Sequence, residues 1–243
     1  MMKGLRMVKK LINYLRKKIS SYKIKKMILN INKPVGWTSF DVVKKIRSIT
    51  KEKKVGHGGT LDPFAEGVLI IGTGKDTKTL SKFIDEQKQY KACLKLGELT
   101  DTHDIEGKTI KKMKVPRLSK GAIKNVLNSF KGYNYQIPPM YSAKKVDGKK
   151  LYELARKNIT IERKPNKVRI YSISLISFSD DSLSFKVSCS KGTYIRVLGK
   201  EIAEKLGTVG HIKKLVRTHV GSYNISSAET IENFYSSWKL LKT

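Results

Sequence analysis

Apolar residues recur along the chain at two different spacings, and each spacing predicts a different kind of element. Positions three or four apart indicate helices at about 40–49, 77–84, 119–130, 151–157, 194–206 and 227–235. Alternating or continuous apolar runs indicate strands at about 28–31, 68–71, 90–97, 168–178 and 183–189. Ser39 and Asp76 are residue types that cap helix N-termini, so we expect the first two helices to begin there.

The order of these elements predicts the fold class. The strands mix irregularly with helices and lack the strict strand–helix alternation of parallel sheets. Asp180 and Asp181 separate the last two predicted strands, which is typical of a hairpin turn. We therefore expect an α+β fold with a mainly antiparallel sheet flanked by helices.

Residues 1–26 differ in kind from the rest, because they contain many lysines and arginines and no acid. Leu5, Leu11, Leu15 and Ile19 fall at near-helical spacing, which predicts a basic amphipathic helix for RNA or an anionic surface. The alternative interpretation is that translation starts at Met27 and that this segment is upstream sequence. The predicted organisation is a basic extension over 1–26 followed by one folded domain over 27–243.

The charge balance narrows the class of partner. The chain has 51 Lys and Arg against 20 Asp and Glu, a formal net charge of +31. Such an excess favours a polyanion such as RNA, although a lysine-biased proteome would also produce it. Cys93 and Cys189 lack CxxC spacing, so neither zinc nor an iron–sulfur cluster is expected. No apolar run approaches the ~18 residues of a membrane helix, and no membrane partner is expected.

The sequence V-G-H-G-G-T-L-D-P places one carboxylate, Asp62, between a glycine-rich turn and a proline. Gly56, Gly58 and Gly59 permit positive φ and close approach to a bulky ligand, and Pro63 fixes the chain after the acid. The predicted strand that follows would hold such a loop rigidly. Asp62 is therefore the main catalytic candidate, against the alternative of an ordinary surface turn.

The other residues of the sequence limit the reactions in which Asp62 can take part. Metal binding lacks a second carboxylate or histidine pair at ligand spacing, and Asp101, His103 and Asp104 are interpreted as a polar turn elsewhere. Glycosidase chemistry needs two carboxylates, and acyl transfer needs Ser or Cys beside His. A carboxylate nucleophile that attacks a polyanionic substrate remains.

Other candidates lie in separate segments. In S-K-G-T-Y-I-R, Arg196 is a bidentate partner that would aim Asp62, unless it is a surface arginine at a helix start. Tyr90 suits base stacking or acid–base chemistry, or else plain packing. His57 suits contact with an unstacked base, or else is a solvated loop residue, and Lys33 is offered to phosphate.

Five motifs carry a family resemblance: N-K-P-V-G-W-T-S, V-G-H-G-G-T-L-D-P, Q-Y-K, Q-I-P-P-M-Y-S-A-K-K and C-S-K-G-T-Y-I-R. In content and order they resemble the TruB family of tRNA pseudouridine synthases over residues 27–236. The resemblance implies the pseudouridine synthase fold over 27–243 and isomerisation of uridine 55 in the T-loop. It implies no cofactor and no metal.

The resemblance also implies residue roles. Asp62 matches the nucleophile, Arg196 its partner, and Tyr90 the tyrosine that packs on the target base and is implicated in proton transfer. The substrate-binding set is His57, for the flipped T-loop bases, with Tyr194, Leu215, Lys33, Gly58, Gly59 and Lys191. The implied partner is the T-loop and T-stem of tRNA, bound by a cytoplasmic monomer that requires no protein partner.

Two departures from the family pattern affect these expectations. The motif L-R-R-T appears here as L-V-R-T at 215–218, so one basic contact is missing. No room remains after Thr243 for the C-terminal PUA domain of many members, which predicts weaker reliance on full-length tRNA. Two alternatives stay open, namely a non-catalytic RNA-binding or ribosome-assembly factor and an RNA-guided archaeal or eukaryotic relative.

Overall fold

The computed structural model describes residues 26–240. The predictions for residues 1–25 lie outside this described part. Within it, the sequence forms strands and helices around one large sheet, with two small two-stranded sheets beside it.

The strands are β1 (Lys26–Lys33), β2 (Val55–His57), β3 (Glu66–Gly74), β4 (Lys88–Leu96), β5 (Glu98–Thr100), β6 (Thr109–Lys112), β7 (Gly132–Gln136), β8 (Lys145–Val146), β9 (Lys149–Lys150), β10 (Asn166–Phe178), β11 (Ser182–Cys189), β12 (Gly210–Val220) and β13 (Tyr223–Asn224). The helices are α1 (Ser39–Thr50), α2 (Leu80–Asp85), α3 (Lys120–Asn128), α4 (Leu151–Ala155), α5 (Ile195–Lys205) and α6 (Ile231–Leu240). Short 3-10 helices occupy Lys75–Thr79 and Ile225–Ser227.

The large sheet runs in the order β1-β3-β12-β4-β11-β10-β7, with β2 paired to β3 and β13 to β12. Its pairings are antiparallel except between β3 and β12, where Gly67 stands opposite Arg217. Gly67 has φ +115°, and a Cβ there would lie 2.3 Å from the Arg217 carbonyl oxygen. Only glycine permits this close approach. The predicted α+β fold with a mainly antiparallel sheet is confirmed.

Two main hydrophobic clusters cover different parts of the sheet. One packs α3 and α5 against β4, β10 and β11, around Leu94, Ile123, Phe185 and Leu198. The other packs α1 and α6 against β1 and β3, around Ile46, Leu69 and Trp238 among others. The loop that carries Asp62 starts beside the second cluster and places Leu61 and Phe64 in the first, so it joins the two.

Three local predictions were wrong. The N-cap of α1 is Thr38, whose hydroxyl and the Asp41 side chain form a capping box, and Ser39 lies inside the helix. Asp76 lies in the first turn of a 3-10 helix and does not cap α2. The central strand β12 was not predicted at all.

Candidate active site

The loop that carries Asp62 connects β2 to β3, and hydrogen bonds fix its backbone just before this residue. The Ser39 hydroxyl accepts a hydrogen bond from the Leu61 amide (2.9 Å) and donates one to the Leu61 carbonyl (3.1 Å). Ser39 is buried at the first residue of α1, which fixes its direction. A two-way bond to Leu61 therefore sets the backbone immediately before Asp62.

Hydrogen bonds also fix the backbone at Pro63, the residue after Asp62. The Pro63 carbonyl accepts from the Gly36 amide at 2.8 Å and from the Lys33 ammonium at 3.2 Å. Lys33 is fully buried and also donates to the carbonyls of Pro34 and Trp37. Burial lowers the pKa of Lys33 to about 8, against a partly opposing effect of the Asp62 charge. In this position the ammonium is directed at backbone carbonyls inside the protein and away from any external phosphate.

The glycines of the loop do not all serve the predicted purpose. Gly59 has φ +116° with open space at its Cβ position, as expected. Gly56 and Gly58 do not adopt positive φ, and that part of the prediction was wrong. At Gly58 a Cβ would lie 2.9 Å from the Phe83 Cβ, so this glycine permits close packing against α2.

Arg196 meets Asp62 as predicted. Its Nε donates to Asp62 Oδ2 at 2.9 Å and its Nη2 lies 3.4 Å from Oδ1, a bidentate arrangement. The Arg196 side chain is nearly fully buried, whereas that of Asp62 is 34% exposed. The acid is therefore anchored from inside and presents its other side to the cavity.

A second carboxylate completes the Arg196 site. Asp104 Oδ2 lies 3.2 Å from Arg196 Nη1, and the carbonyls of Thr102 and Tyr141 accept the remaining donors at 2.9 and 2.8 Å. Burial raises the pKa of Asp104, although Arg196 and the Thr102 hydroxyl oppose this. The interpretation of Asp104 as a polar turn elsewhere was wrong, because the fold brings this turn directly behind the nucleophile candidate.

The start of α5 is fixed from the end of β7. The Gln136 side chain accepts from the Tyr194 amide at 3.0 Å and donates to the Tyr194 carbonyl at 3.3 Å. Tyr194 is the residue before α5, and Arg196 is its second residue. The motif that begins at Gln136 therefore positions Arg196.

A second buried arginine, Arg217 of β12, supports the opposite side. Its Nε donates to the Val68 carbonyl at 2.7 Å, and its Nη atoms donate to the carbonyls of Thr60 (3.0 Å) and Gly59 (3.2 Å). The Arg217 charge also acts on the Tyr90 phenol, where it opposes the larger effect of burial on the pKa. Arg217 thus ties the glycine turn to the centre of the sheet.

Two ionisable groups beside Arg217, those of Tyr90 and Lys88, have shifted pKa values. Burial raises the pKa of Tyr90 to about 12, so its phenol is neutral at pH 7. Burial, reinforced by the Arg217 charge, lowers the pKa of Lys88 to about 8. The Lys88 ammonium donates to the carbonyls of Phe83, Ile84 and Glu86, at the end of α2.

These groups surround a cavity of about 260 Å³. Its walls include six of the predicted residues, Gly59, Asp62, Tyr90, Lys191, Tyr194 and Leu215. Arg196 lies directly behind Asp62, whereas His57, Gly58 and Lys33 do not line the cavity. Three residues that line the cavity were not predicted from the sequence as site residues, namely Lys88, Ser142 and Arg217.

Lys191 is an exposed cation among the residues that line the cavity. Its ammonium pairs with Asp85 Oδ1 at 2.7 Å, and both side chains are more than half exposed. His57 is partly buried in β2, and burial with the Arg217 charge lowers its pKa. At neutral pH the His57 ring is therefore uncharged, which suits stacking more than phosphate binding.

Within residues 26–240, no group of three or more His, Cys, Asp and Glu side chains is arranged to hold a metal ion. None of the helices in this same stretch is both long and apolar enough to cross a bilayer.

Comparisons with known proteins agree on one family. The model of the TruB family pseudouridylate synthase N-terminal domain matches residues 47–195. A tRNA pseudouridine synthase B of Clostridium tetani is 47% identical over 206 residues, covering 85% of this chain and 71% of the relative. The enzyme of the same name from Clostridium kluyveri is 48% identical over 215 residues, covering 88% and 74%.

A solved structure shares the fold. The crystal structure of a Cbf5-Nop10-Gar1 complex contains a chain that superimposes with a TM-score of 0.74 at 26% identity. The match covers 92% of this chain and 57% of that one.

Proposed function

Because this chain belongs to the TruB family of pseudouridylate synthases, we propose that it converts uridine to pseudouridine at position 55 of the tRNA T-loop. The observation that carries the proposal is the bidentate pair of Asp62 and Arg196 at the wall of the cavity. Residues 27–243 are proposed as the catalytic domain. The chain acts in the cytoplasm as a monomer that needs no protein partner.

The reaction breaks the bond between uracil N1 and ribose C1′, turns the base, and joins uracil C5 to C1′. The C5 proton leaves to solvent and the freed N1 takes up a proton, so the product has the composition of the substrate. A uridine inside folded RNA is out of reach of a carboxylate, and flipping it out costs a few kcal/mol. The cavity supports flipping because Tyr90, Tyr194 and Leu215 present flat or apolar surface to a single base.

Asp62 is the proposed nucleophile, and Arg196 holds it in one orientation. Two routes fit this geometry: direct attack of the carboxylate at C1′, or elimination through a glycal in which Asp62 or Tyr90 moves the C2′ proton. Burial raises the pKa of Tyr90 to about 12, so Tyr90 enters either route as a neutral phenol that can donate a proton but cannot take one. In the glycal route the carboxylate of Asp62 is therefore the group that accepts the C2′ proton. The high net charge of +31 supports phosphate contacts as the main source of binding energy.

A non-catalytic RNA-binding factor is disfavoured by the same pair. A module that only binds RNA has no need for an acid inside a basic RNA-facing cavity. Here Asp62 is kept there by the two-way Ser39 bond, the Pro63 contacts and Arg196. This much support for one carboxylate is what a positioned reacting group requires.

Tritium release from a tRNA transcript labelled at uracil C5 tests the proposal, with the wild-type chain compared with Asp62→Asn. We expect release from the wild type alone, and none from a transcript in which U55 is replaced by cytidine. RNA binding by Asp62→Asn is the control for folding. Tight RNA binding without release by the wild type would contradict the enzyme and favour the binding factor.

A further inference from the structure

Five side chains on the exposed face of β7 and β10 form a cluster that we call the tyrosine–cation face: Tyr133, Tyr135, Lys167, Arg169 and Tyr171. Lys167 stands opposite Tyr135, and Arg169 opposite Tyr133, in the antiparallel register. Their neighbours Val168 and Ile170 are buried, so strand alternation directs all of the cluster away from the core.

The three tyrosines of this face are exposed to solvent. Tyr133 is 63% exposed, Tyr135 69% and Tyr171 44%. Lys167 Nζ lies 4.2 Å from the centre of the Tyr133 ring, and the Arg169 guanidinium lies 5.3 and 5.2 Å from those of Tyr133 and Tyr171. Flat rings with interleaved cations are the elements of a surface that stacks unpaired bases and neutralises their phosphates.

Charge complementarity indicates an anionic occupant. Neither β7 nor β10 contains an acidic residue. On the same side of the sheet, Lys186 of β11 stands directly opposite Lys91 of β4, and both are exposed. Like charges opposite each other are unfavourable in an isolated sheet, and a bound polyanion would relieve the repulsion.

The face is joined to the cavity through the backbone. The Arg169 amide donates to the Ser190 hydroxyl at 2.9 Å, and the Ser190 amide donates to the Arg169 carbonyl at 2.9 Å. Ser190 lines the cavity. One residue after Tyr135, Gln136 clamps Tyr194, which is also a cavity residue.

We propose that the tyrosine–cation face is a second RNA-binding surface, which holds nucleotides of the substrate outside the target uridine by stacking and phosphate contacts. This inference rests on the proposed function, since it takes the substrate to be RNA. It adds a binding region on the sheet edge that is separate from the catalytic residues.

The test measures binding of a full-length tRNA transcript to Asp62→Asn, so that no turnover occurs. In that background, Tyr133→Thr/Tyr135→Thr removes the rings with a residue that suits strands. We expect affinity to fall at least about tenfold, because the bases no longer stack on these rings. Lys167→Gln/Arg169→Gln should also lower the slope of log K against log salt, by about one for each phosphate that is no longer neutralised.

The matched control is Tyr235→Ala/Lys239→Gln, an exposed aromatic and cation on α6, which packs in the other cluster. We expect no change in affinity there. Equal losses of affinity in control and test variants, or test affinities within about twofold of the parent, would overturn the proposal. Urea unfolding of each variant separates a binding defect from a folding defect.

Measurements of tritium release distinguish a failure of the second RNA-binding surface from a failure of the proposed function. With Asp62 present, the tyrosine and cation variants should release tritium at the wild-type rate when enzyme is saturating, and more slowly when it is limiting. Wild-type release with unaffected binding in the variants would reject the second surface alone. Absence of release from the wild type would reject the proposed reaction and leave the binding result intact.

Discussion

The two walls of the cavity are each built around a buried arginine, and they differ in what that arginine meets. Arg196 bonds two carboxylates, Asp62 and Asp104, and two carbonyls. Arg217 bonds three carbonyls, and within residues 26–240 it makes no ion pair with a carboxylate. One wall sets a single cation against two carboxyl groups, and the other holds a cation that has no carboxylate partner among the described residues.

This difference separates two uses of the same side chain. Arg196 fixes the direction of the Asp62 carboxylate, the proposed nucleophile. Arg217 fastens backbone segments that are distant in sequence, and its unbalanced charge helps lower the pKa of Lys88 and His57 after burial itself. We therefore expect substitutions in the first wall to affect mainly the rate, and those in the second mainly stability.

The largest effect is expected for Arg196→Lys. Lysine keeps the charge but cannot make the bidentate contact with Asp62 while bonding Asp104, so the carboxylate loses its fixed direction. We expect the single-turnover rate to fall by about 10²–10³-fold, comparable to the loss of one preorganised charge-stabilising group. Rapid-quench measurement at saturating enzyme checks this. A loss below tenfold would remove the distinction between the walls.

Arg217→Lys is the matched change in the other wall. Several buried carbonyls lose their donors, and we expect the free energy of unfolding to drop by about 2–4 kcal/mol. The rate should fall less than in Arg196→Lys, about tenfold, through displacement of the Asp62 loop. Urea unfolding and single-turnover rates on the same preparation decide between rate and stability. A larger rate effect than that of Arg196→Lys would reverse the assignment.

A smaller effect is expected for Ser39→Ala, which removes the two-way bond to Leu61. The buried Leu61 amide and carbonyl lose their partner, which should lower the free energy of unfolding by about 1–2 kcal/mol. Ser48→Ala, at an exposed position of the same helix, is the control and should be neutral. Identical unfolding curves for the two variants would contradict the role assigned to Ser39.

The smallest effect is a change in pH dependence at Lys88. Its pKa is lowered from 10.5 to about 8 by burial and by Arg217, so between these values the unfolded chain binds the extra proton and stability rises with pH. Below pH 8 both states are protonated and this contribution is flat. Lys33 contributes in the same window. Lys88→Met should therefore flatten part of the rise.

Unfolding followed at several pH values across this window, for the wild type, Lys88→Met and Lys33→Met, measures the effect. Each single variant should retain the share of the other lysine, and the double variant should retain neither. An unchanged pH profile in Lys88→Met would mean that its ammonium is not destabilised by burial.

The sequence predicted the first wall better than the second. Asp62 and Arg196 stand in motifs whose residue types indicate chemistry. The sequence did not predict β12 because its pairing with β4 is irregular after Ile212 and again after Arg217. These irregularities break the alternation of buried and exposed positions that identifies a strand. β12 also contains charged residues, which do not indicate a buried strand. Arg217 can nevertheless be buried there, because the backbone carbonyls of residues 59, 60 and 68 accept its hydrogen bonds.

The roles of Lys33 and Asp104 depended on long-range folding. A lysine in a loop before a helix suits a phosphate equally well, and only the position of Pro63 shows that its ammonium points inward. Asp104 approaches Arg196 because β4 and the turn after β5 return to the start of α5. No local spacing contains that information.

The place of β12 between β3 and β4 has a consequence for synthesis. A ribosome delivers β3 and β4 early, and each then has an open edge until residues 210–220 emerge. Exposed edges invite pairing with other chains, so we expect the nascent protein to be prone to aggregation until β12 pairs with both strands. The same late strand brings Arg217 to the Asp62 loop, and catalytic competence therefore arrives only after this strand has been translated.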